Sequence, residues 1–306
     1  MPTSAARAAL APTIAYRDVL SDDGTMLRAW TNDPEGRHDG PTVLLCNGLG
    51  TNPLHWPALL RPDCGVRVVS WNHRGVSGSD RPRDPRAVRI ENFVEDALSV
   101  MDHFDLERPV VMGWSMGVNT AFELAVRHPE RVAGIFAVAG VPGDTFATML
   151  GALHLPHPVA RAVTVTLARG LRLGGWSLSP VTTRFPFGAR SLEALTRVGF
   201  IGRVPDPELA AMAMAEMLST PVEWYMHLAL TTSRHPRVPL SRVQVPATFV
   251  AGTHDILAGS RDMGTAARRI PGARYVRLRA SHFVQMEHPD RVHQLLRELI
   301  DRVDRA

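Results

Sequence analysis

The stretch Val110–Val126, "VVMGWSMGVNTAFELAV", decides the fold of this 306-residue chain. Its start is an apolar run of the kind that forms strands buried on both faces, and its second half has the apolar spacing of a helix. Between them lies Gly-Trp-Ser-Met-Gly, with Gly113 and Gly117 each two places from Ser115. A strand that turns directly into a helix forces its central residue into a sparsely allowed backbone region. It also leaves no room for neighbouring side chains, so glycine is wanted on both sides. Such a turn projects Ser115 from the sheet, with the free amides of the following helix behind it. Gly-x-Ser-x-Gly recurs by chance in glycine-rich chains, but here it occurs once, and between a strand pattern and a helix pattern.

Working outward, short apolar runs repeat at "TVLLCN" (42–47), "VRVVSW" (66–71), "PVVMGW" (109–114) and "VAGIFAVAG" (132–140). Helical patterns separate them, notably Glu91–Phe104 and Met116–His128, the latter stopped by Pro129. Strand and helix in alternation predict crossover connections and a doubly wound, mostly parallel α/β sheet. Before it, "TIAYRDVL", "SDDGT" and "MLRAWTND" read as a hairpin. From about residue 141 to 240 the chain is largely helical and interrupted by Pro and Gly. Strands resume at "ATFVAGT" (247–253) and "ARYVRLRA" (273–280), and an amphipathic helix, Pro289–Val303, closes the chain. The expected organisation is a core of residues 1–140 and 241–306, with a helical insertion, 141–240, over the C-terminal edge of the sheet.

Composition excludes several classes of function. No lysine occurs, so all 34 basic residues are arginine; a codon bias toward arginine is the plain explanation. Walker-type phosphate loops and lysine Schiff bases both need a lysine amine and are excluded. A formal charge of only +4, with no basic tail, gives a nucleic-acid partner little support. Cys46 and Cys64 are the only cysteines and form no Cys-x-x-Cys pair, which argues against a disulfide framework or thiolate zinc site. Both read as small buried hydrophobes. The N-terminal stretch is too broken by Pro and polar residues for a signal peptide, and no run of ~20 apolar residues occurs. The chain reads as soluble and cytoplasmic.

A serine hydroxyl does not ionise near neutral pH, so Ser115 needs a base, and the base needs a partner that fixes its tautomer. Of 13 histidines, His282 in "RASHFVQMEHPDRV" follows a strand and precedes the last helix, in a loop at the C-terminal edge of the sheet. His73 and His254 lie on loops of the same edge and are rivals; His128 and His288 sit beside prolines at helix ends and look structural. For the acid, "FVAGTHDILAG" puts Asp255 just past a strand on that edge, with Asp144 as the alternative. The chain order is then Ser115, Asp255, His282.

That order resembles the α/β-hydrolase fold family, in which nucleophile, acid and histidine follow one another in this way. The likeness covers nearly all of the chain outside the insertion and the first dozen residues. "LLCNGLGTN" resembles the family's His-Gly-x-Gly segment, with Asn47 where His is usual. "WNHRGVSGSD" resembles its Asp-x-Arg-Gly-x-Gly-x-Ser segment, with Asn72 and Ser77 in place of Asp and Gly. "SHFVQMEHPDRV" resembles the segment carrying the catalytic histidine. The resemblance implies a sheet of about eight strands and a helical cap. It implies Ser115 as nucleophile, His282 as base, Asp255 as its orienting acid, and an oxyanion hole from the amides of Leu49 and Met116. No metal or organic cofactor is needed. Haloalkane dehalogenases and epoxide hydrolases of this fold attack with an aspartate, so Ser115 argues against both activities.

What remains is acyl chemistry, foremost hydrolysis of carboxylic esters or lactones with an apolar acyl part. C–C bond hydrolysis, thioester hydrolysis and cofactor-free perhydrolysis are alternatives on the same residues. The C–C hydrolases commonly carry a second glycine after the motif, where Val118 stands here. A small-molecule receptor is a different class. Apolar residues of the insertion, Met212, Met214 and Met217 among them, are expected to pack its own core and in part to line an adaptable pocket. Between Thr145 and Leu192 stand Arg161, Arg169, Arg172, Arg184 and Arg190 and no acidic residue. Two readings stay open: a solvated basic face, or a surface for anionic lipid headgroups or acyl-coenzyme A phosphates. Oligomeric state is open.

Overall fold

The computed structural model describes residues 14–143 and 157–305. Asp144, the alternative acid, and most of the N-terminal stretch lie outside them. Eight strands form one sheet in the order β1-β2-β4-β3-β5-β6-β7-β8. The hairpin β1 (Ala15–Leu20) and β2 (Met26–Thr31) is antiparallel, and β2 runs antiparallel to β4 (Arg67–Trp71). All other pairings are parallel, through β3 (Thr42–Cys46), β5 (Val110–Trp114), β6 (Gly134–Val138), β7 (Ala247–Gly252) and β8 (Arg274–Leu278).

Unbroken apolar strands arise because helices cover both faces. Leu44, Cys46 and Val111 pack toward α1 (Ile90–His103) and α2 (Gly117–Arg127). The alternate residues Val43, Leu45 and Met112 face α9 (Pro289–Val303) on the other side. The edge strand β8 is only half buried and carries Arg274 and Arg277, charges that discourage pairing with another chain. Both cysteines are free and buried, as their sequence context suggests.

Between β6 and β7 the described chain forms α3 (His157–Thr182), α4 (Ala189–Arg197), α5 (Pro207–Leu218) and α6 (Val222–Thr232). Pro207 opens α5 in the first turn, where a missing amide costs nothing, and Asp206 caps it by accepting from the amide of Leu209. Two short helices, α7 (Ser260–Ala267) and α8 (Val284–Glu287), lie between β7 and α9.

The register matters for the site. Cys46 lies beside Gly113, Trp114 beside Val138, and Gly252 beside Leu278. The loops that leave β3, β5, β7 and β8 therefore emerge side by side on one edge.

The loop after β4 is anchored by a buried ion cluster. The Arg74 guanidinium grips Asp96 of α1 with bonds of 2.9 and 2.7 Å, and Ser21 Oγ donates to the same carboxylate at 2.6 Å. Asp23 of the hairpin turn pairs with Arg74 as well. Removing one member of such a pair strands a charge away from water. Asp96→Ala is expected to cost about 3 kcal/mol in urea unfolding.

Candidate active site

Crowding builds the turn that carries Ser115. Its φ is +54°, a left-handed conformation that side chains rarely adopt. A Cβ on Gly113 would stand 2.7 Å from Val118 Cα, and one on Gly117 would strike the carbonyl oxygen of Cys46. Gly140, at the end of β6, lies just as close to the carbonyl of Ser115 itself. The Ser115 amide donates to Val138 across the sheet at 3.0 Å, which fixes the turn.

From the loop after β8, His282 places Nε2 at 2.8 Å from Ser115 Oγ. Its Nδ1 lies 2.9 Å from Asp255 Oδ2, in the loop after β7. Asp255 Oδ1 accepts the amides of Leu257 and Ala258, each at 2.8 Å, so the carboxylate is an acceptor on every side. Nδ1 must therefore carry a proton, which leaves Nε2 as the acceptor for the serine hydroxyl. All three side chains predicted from the sequence thus meet in one hydrogen-bonded series. The amides of Leu49 and Met116 make no hydrogen bond among the described residues, and both residues border the same cavity as Ser115.

The other histidines are accounted for differently. His73 packs edge-on against Phe93, and burial pushes its pKa down to about 4, so it stays neutral. His254 is exposed. His288 donates from its ring to the Arg279 carbonyl, while His128 lies 3.8 Å from Glu130.

The departures from the family pattern have local explanations. Asn47 Oδ1 accepts both the Gly48 amide and Trp56 Nε1, each at 3.1 Å, and so ties the loop after β3 to the neighbouring short helix. Asn72 donates to the carbonyl of Ser77 at 2.7 Å, closing a turn in which Ser77 has φ +42°.

Two positioning groups escape sequence reasoning. Trp114 Nε1 donates to the His282 carbonyl at 3.2 Å, and its ring stacks at a tilt on the imidazole. Glu287 receives the amide and hydroxyl of Ser281 and, from the insertion, the amide of Gly202 at 2.9 Å. Neither role leaves a residue-type signal, since each works in part through the backbone of its partner.

A cavity of about 260 Å³ opens at Ser115. Leu167 and Leu171 of α3, Met217 of α5, and Tyr225 and Met226 of α6 wall it, with Phe283 beside His282. Burial pushes the Tyr225 phenol up to about 12, so it stays protonated. The expectation for the methionines needs correction. Of these three only Met217 borders the cavity; Met212 and Met214 are buried among core side chains of the sheet's α9 face. Among the described residues no three His, Cys, Asp or Glu side chains group as metal ligands. No described helix is long and apolar enough to cross a membrane.

Eight mostly parallel strands in this order, with a serine at a strand-to-helix turn, are the α/β-hydrolase fold. A family model described as "alpha/beta hydrolase fold" matches residues 41–163. Epoxide hydrolase B of Mycobacterium tuberculosis is 31% identical over 141 residues, 42% of this chain and 39% of that protein. Epoxide hydrolase A of the same organism is 26% identical over 299 residues, 87% of this chain and 92% of that one. The enol-lactonase of Burkholderia xenovorans LB400 superposes with a TM-score of 0.66 at 26% identity, over 93% of this chain and 100% of that one. The chain spans only 39% to 50% of the length of the first curated relatives it matches.

Glu287→Gln tests the anchoring of the histidine loop. An amide there sets its own donors against those of Ser281 and Gly202. The expected loss is about 1–3 kcal/mol of stability in denaturant unfolding, together with slower fluorophosphonate labelling of Ser115.

Proposed function

We propose that the chain is a serine hydrolase of carboxylic esters or lactones with an apolar acyl part. The observation that carries this reading is the series Asp255–His282–Ser115, at 2.9 and 2.8 Å, opening on an apolar cavity. In the proposed reaction His282 Nε2 takes the hydroxyl proton as Ser115 Oγ attacks the carbonyl carbon. Asp255 orients the imidazole and stabilises it once charged. The amides of Leu49 and Met116 receive the tetrahedral oxyanion, an interaction worth about 3 kcal/mol per donor in comparable sites. His282 then protonates the leaving oxygen, and water, activated by the same nitrogen, releases the acid from Ser115.

The epoxide hydrolase relatives set a rival activity against this one. An aspartate does the attacking in that chemistry, and this chain has Ser115 at the turn. The likeness to an enol-lactonase over nearly the whole chain favours an ester or lactone carbonyl. We read residues 141–240 as a cap over a core of 1–140 and 241–306, because α3, α5 and α6 supply the cavity wall facing Ser115. The cavity is a little smaller than the ~300–1,000 Å³ of sites for drug-sized ligands, which favours small or medium substrates.

Initial rates on p-nitrophenyl esters from acetyl to palmitoyl, and on simple lactones, test the proposal. Rates should peak at a short or medium chain. Ser115→Ala should lower kcat by about 10⁴-fold or more, and Asp255→Asn by about 10⁴-fold. Equal, negligible rates in wild type and Ser115→Ala on all of these substrates would remove the ester and lactone reading.

A further inference from the structure

The outer face of α3 has the wrong chemistry for a helix that meets water. Among the described residues, nine of the eleven exposed large hydrophobic side chains lie between Val159 and Val198. Leu173 is 78% exposed, Trp176 72% and Leu167 64%. The inner stripe of α3, with Ala160, Ala168, Gly175 and Ser179 buried, packs against α6. The exposed apolar residues are thus additional to the side chains that hold the helix in place. Isolated surface hydrophobics are ordinary, but a concentration of this kind marks a surface that is covered by something.

The charges identify what covers it. Arg169 shares a helix face with the exposed Leu173 and Trp176, four and seven places on, and Arg184 adjoins the exposed Phe185, whereas Arg172 borders a cleft on the α6 side beside Glu91. From residue 157 to 192 there is no carboxylate; Glu193 is the first. Arginines interleaved with exposed Leu, Val and Trp suit a surface with an anionic layer above an apolar one. The guanidinium heads reach phosphates while their stems and the apolar side chains enter the acyl boundary. Trp is the side chain best suited to that boundary. A second copy of the chain is the poorer fit, because a two-fold contact would set this arginine-only segment against itself.

We infer that α3 and the turn after it form a docking surface for an anionic phospholipid bilayer, on which the protein lies without crossing it. The position of the surface gives it a use. Leu167 is both largely exposed and part of the wall of the Ser115 cavity, so the apolar face runs into the cavity mouth. A substrate dissolved in the lipid would pass from bilayer to cavity without entering bulk water. That delivery rests on the hydrolase reading, whereas docking itself does not.

Vesicle flotation of the full chain carrying Ser115→Ala tests docking apart from turnover. Trp176 supplies a second readout, because the other five tryptophans are at most 6% exposed. With phosphatidylcholine–phosphatidylglycerol vesicles the protein should float and its tryptophan emission should shift to the blue, with much weaker binding to phosphatidylcholine alone. Replacing Arg169 and Arg184 with Gln should weaken partitioning about fivefold for each arginine removed. Leu173→Ser with Trp176→Ser should weaken it about tenfold or more. Hydrolysis of a water-soluble short ester should be unaffected when these substitutions are made on the Ser115 background. Absence of flotation on anionic vesicles, or flotation indifferent to both pairs of substitutions, overturns the inference. So does a dimer in sedimentation that Leu173→Ser with Trp176→Ser dissociates, which would make the face a contact between copies.

Discussion

Lack of space at the end of β5 governs this molecule. The Ser115 turn fits only because Gly113, Gly117 and Gly140 present no Cβ to the backbones around them. Strand β3, helix α2 and the end of β6 can then close to contact distance, and the left-handed backbone of Ser115 is held by its neighbours and not by its own preference. Everything else at the site is placed relative to that turn. The loops after β7 and β8 carry Asp255 and His282 to it because their strands run parallel to β5 and end at the same edge.

Most of this could be read from the chain. Buried parallel strands write themselves as uninterrupted apolar runs, and a strand-to-helix turn around a serine writes itself as two spaced glycines. The helix Pro289–Val303 is found where its amphipathic spacing puts it. Other features were not legible, for identifiable reasons. Helix α5 is apolar nearly all round, so periodicity could not tell Met217, at the cavity, from Met212 and Met214, in the core. The five insertion arginines formed a charge pattern in sequence. Their meaning depends on how exposed the side chains between them are, which only the packing of α3 on α6 reveals.

Hydrogen bonds between loops carry the precision that the glycines alone cannot supply. Asn47 holds the loop after β3 through Trp56, and Trp114 reaches the backbone of His282. Arg74 and its carboxylates lock the loop after β4 to α1 and the hairpin turn. These groups are buried, and the bonds they make fix the loop geometry at modest net stability. The chemistry on the sheet edge thus stands on loops that have little freedom to drift.

Glu287 has one further consequence. Its carboxylate takes hydrogen bonds from Ser281, next to the imidazole, and from Gly202, in the turn between α4 and α5. The helical segment between β6 and β7 and the histidine loop are therefore fastened to a common acceptor. Grafting the helical segment of a relative onto this core would need a backbone amide delivered to that same point. A transplanted segment that missed it would leave a buried carboxylate short of a donor and loosen the histidine loop, even with every side chain of Asp255, His282 and Ser115 unchanged.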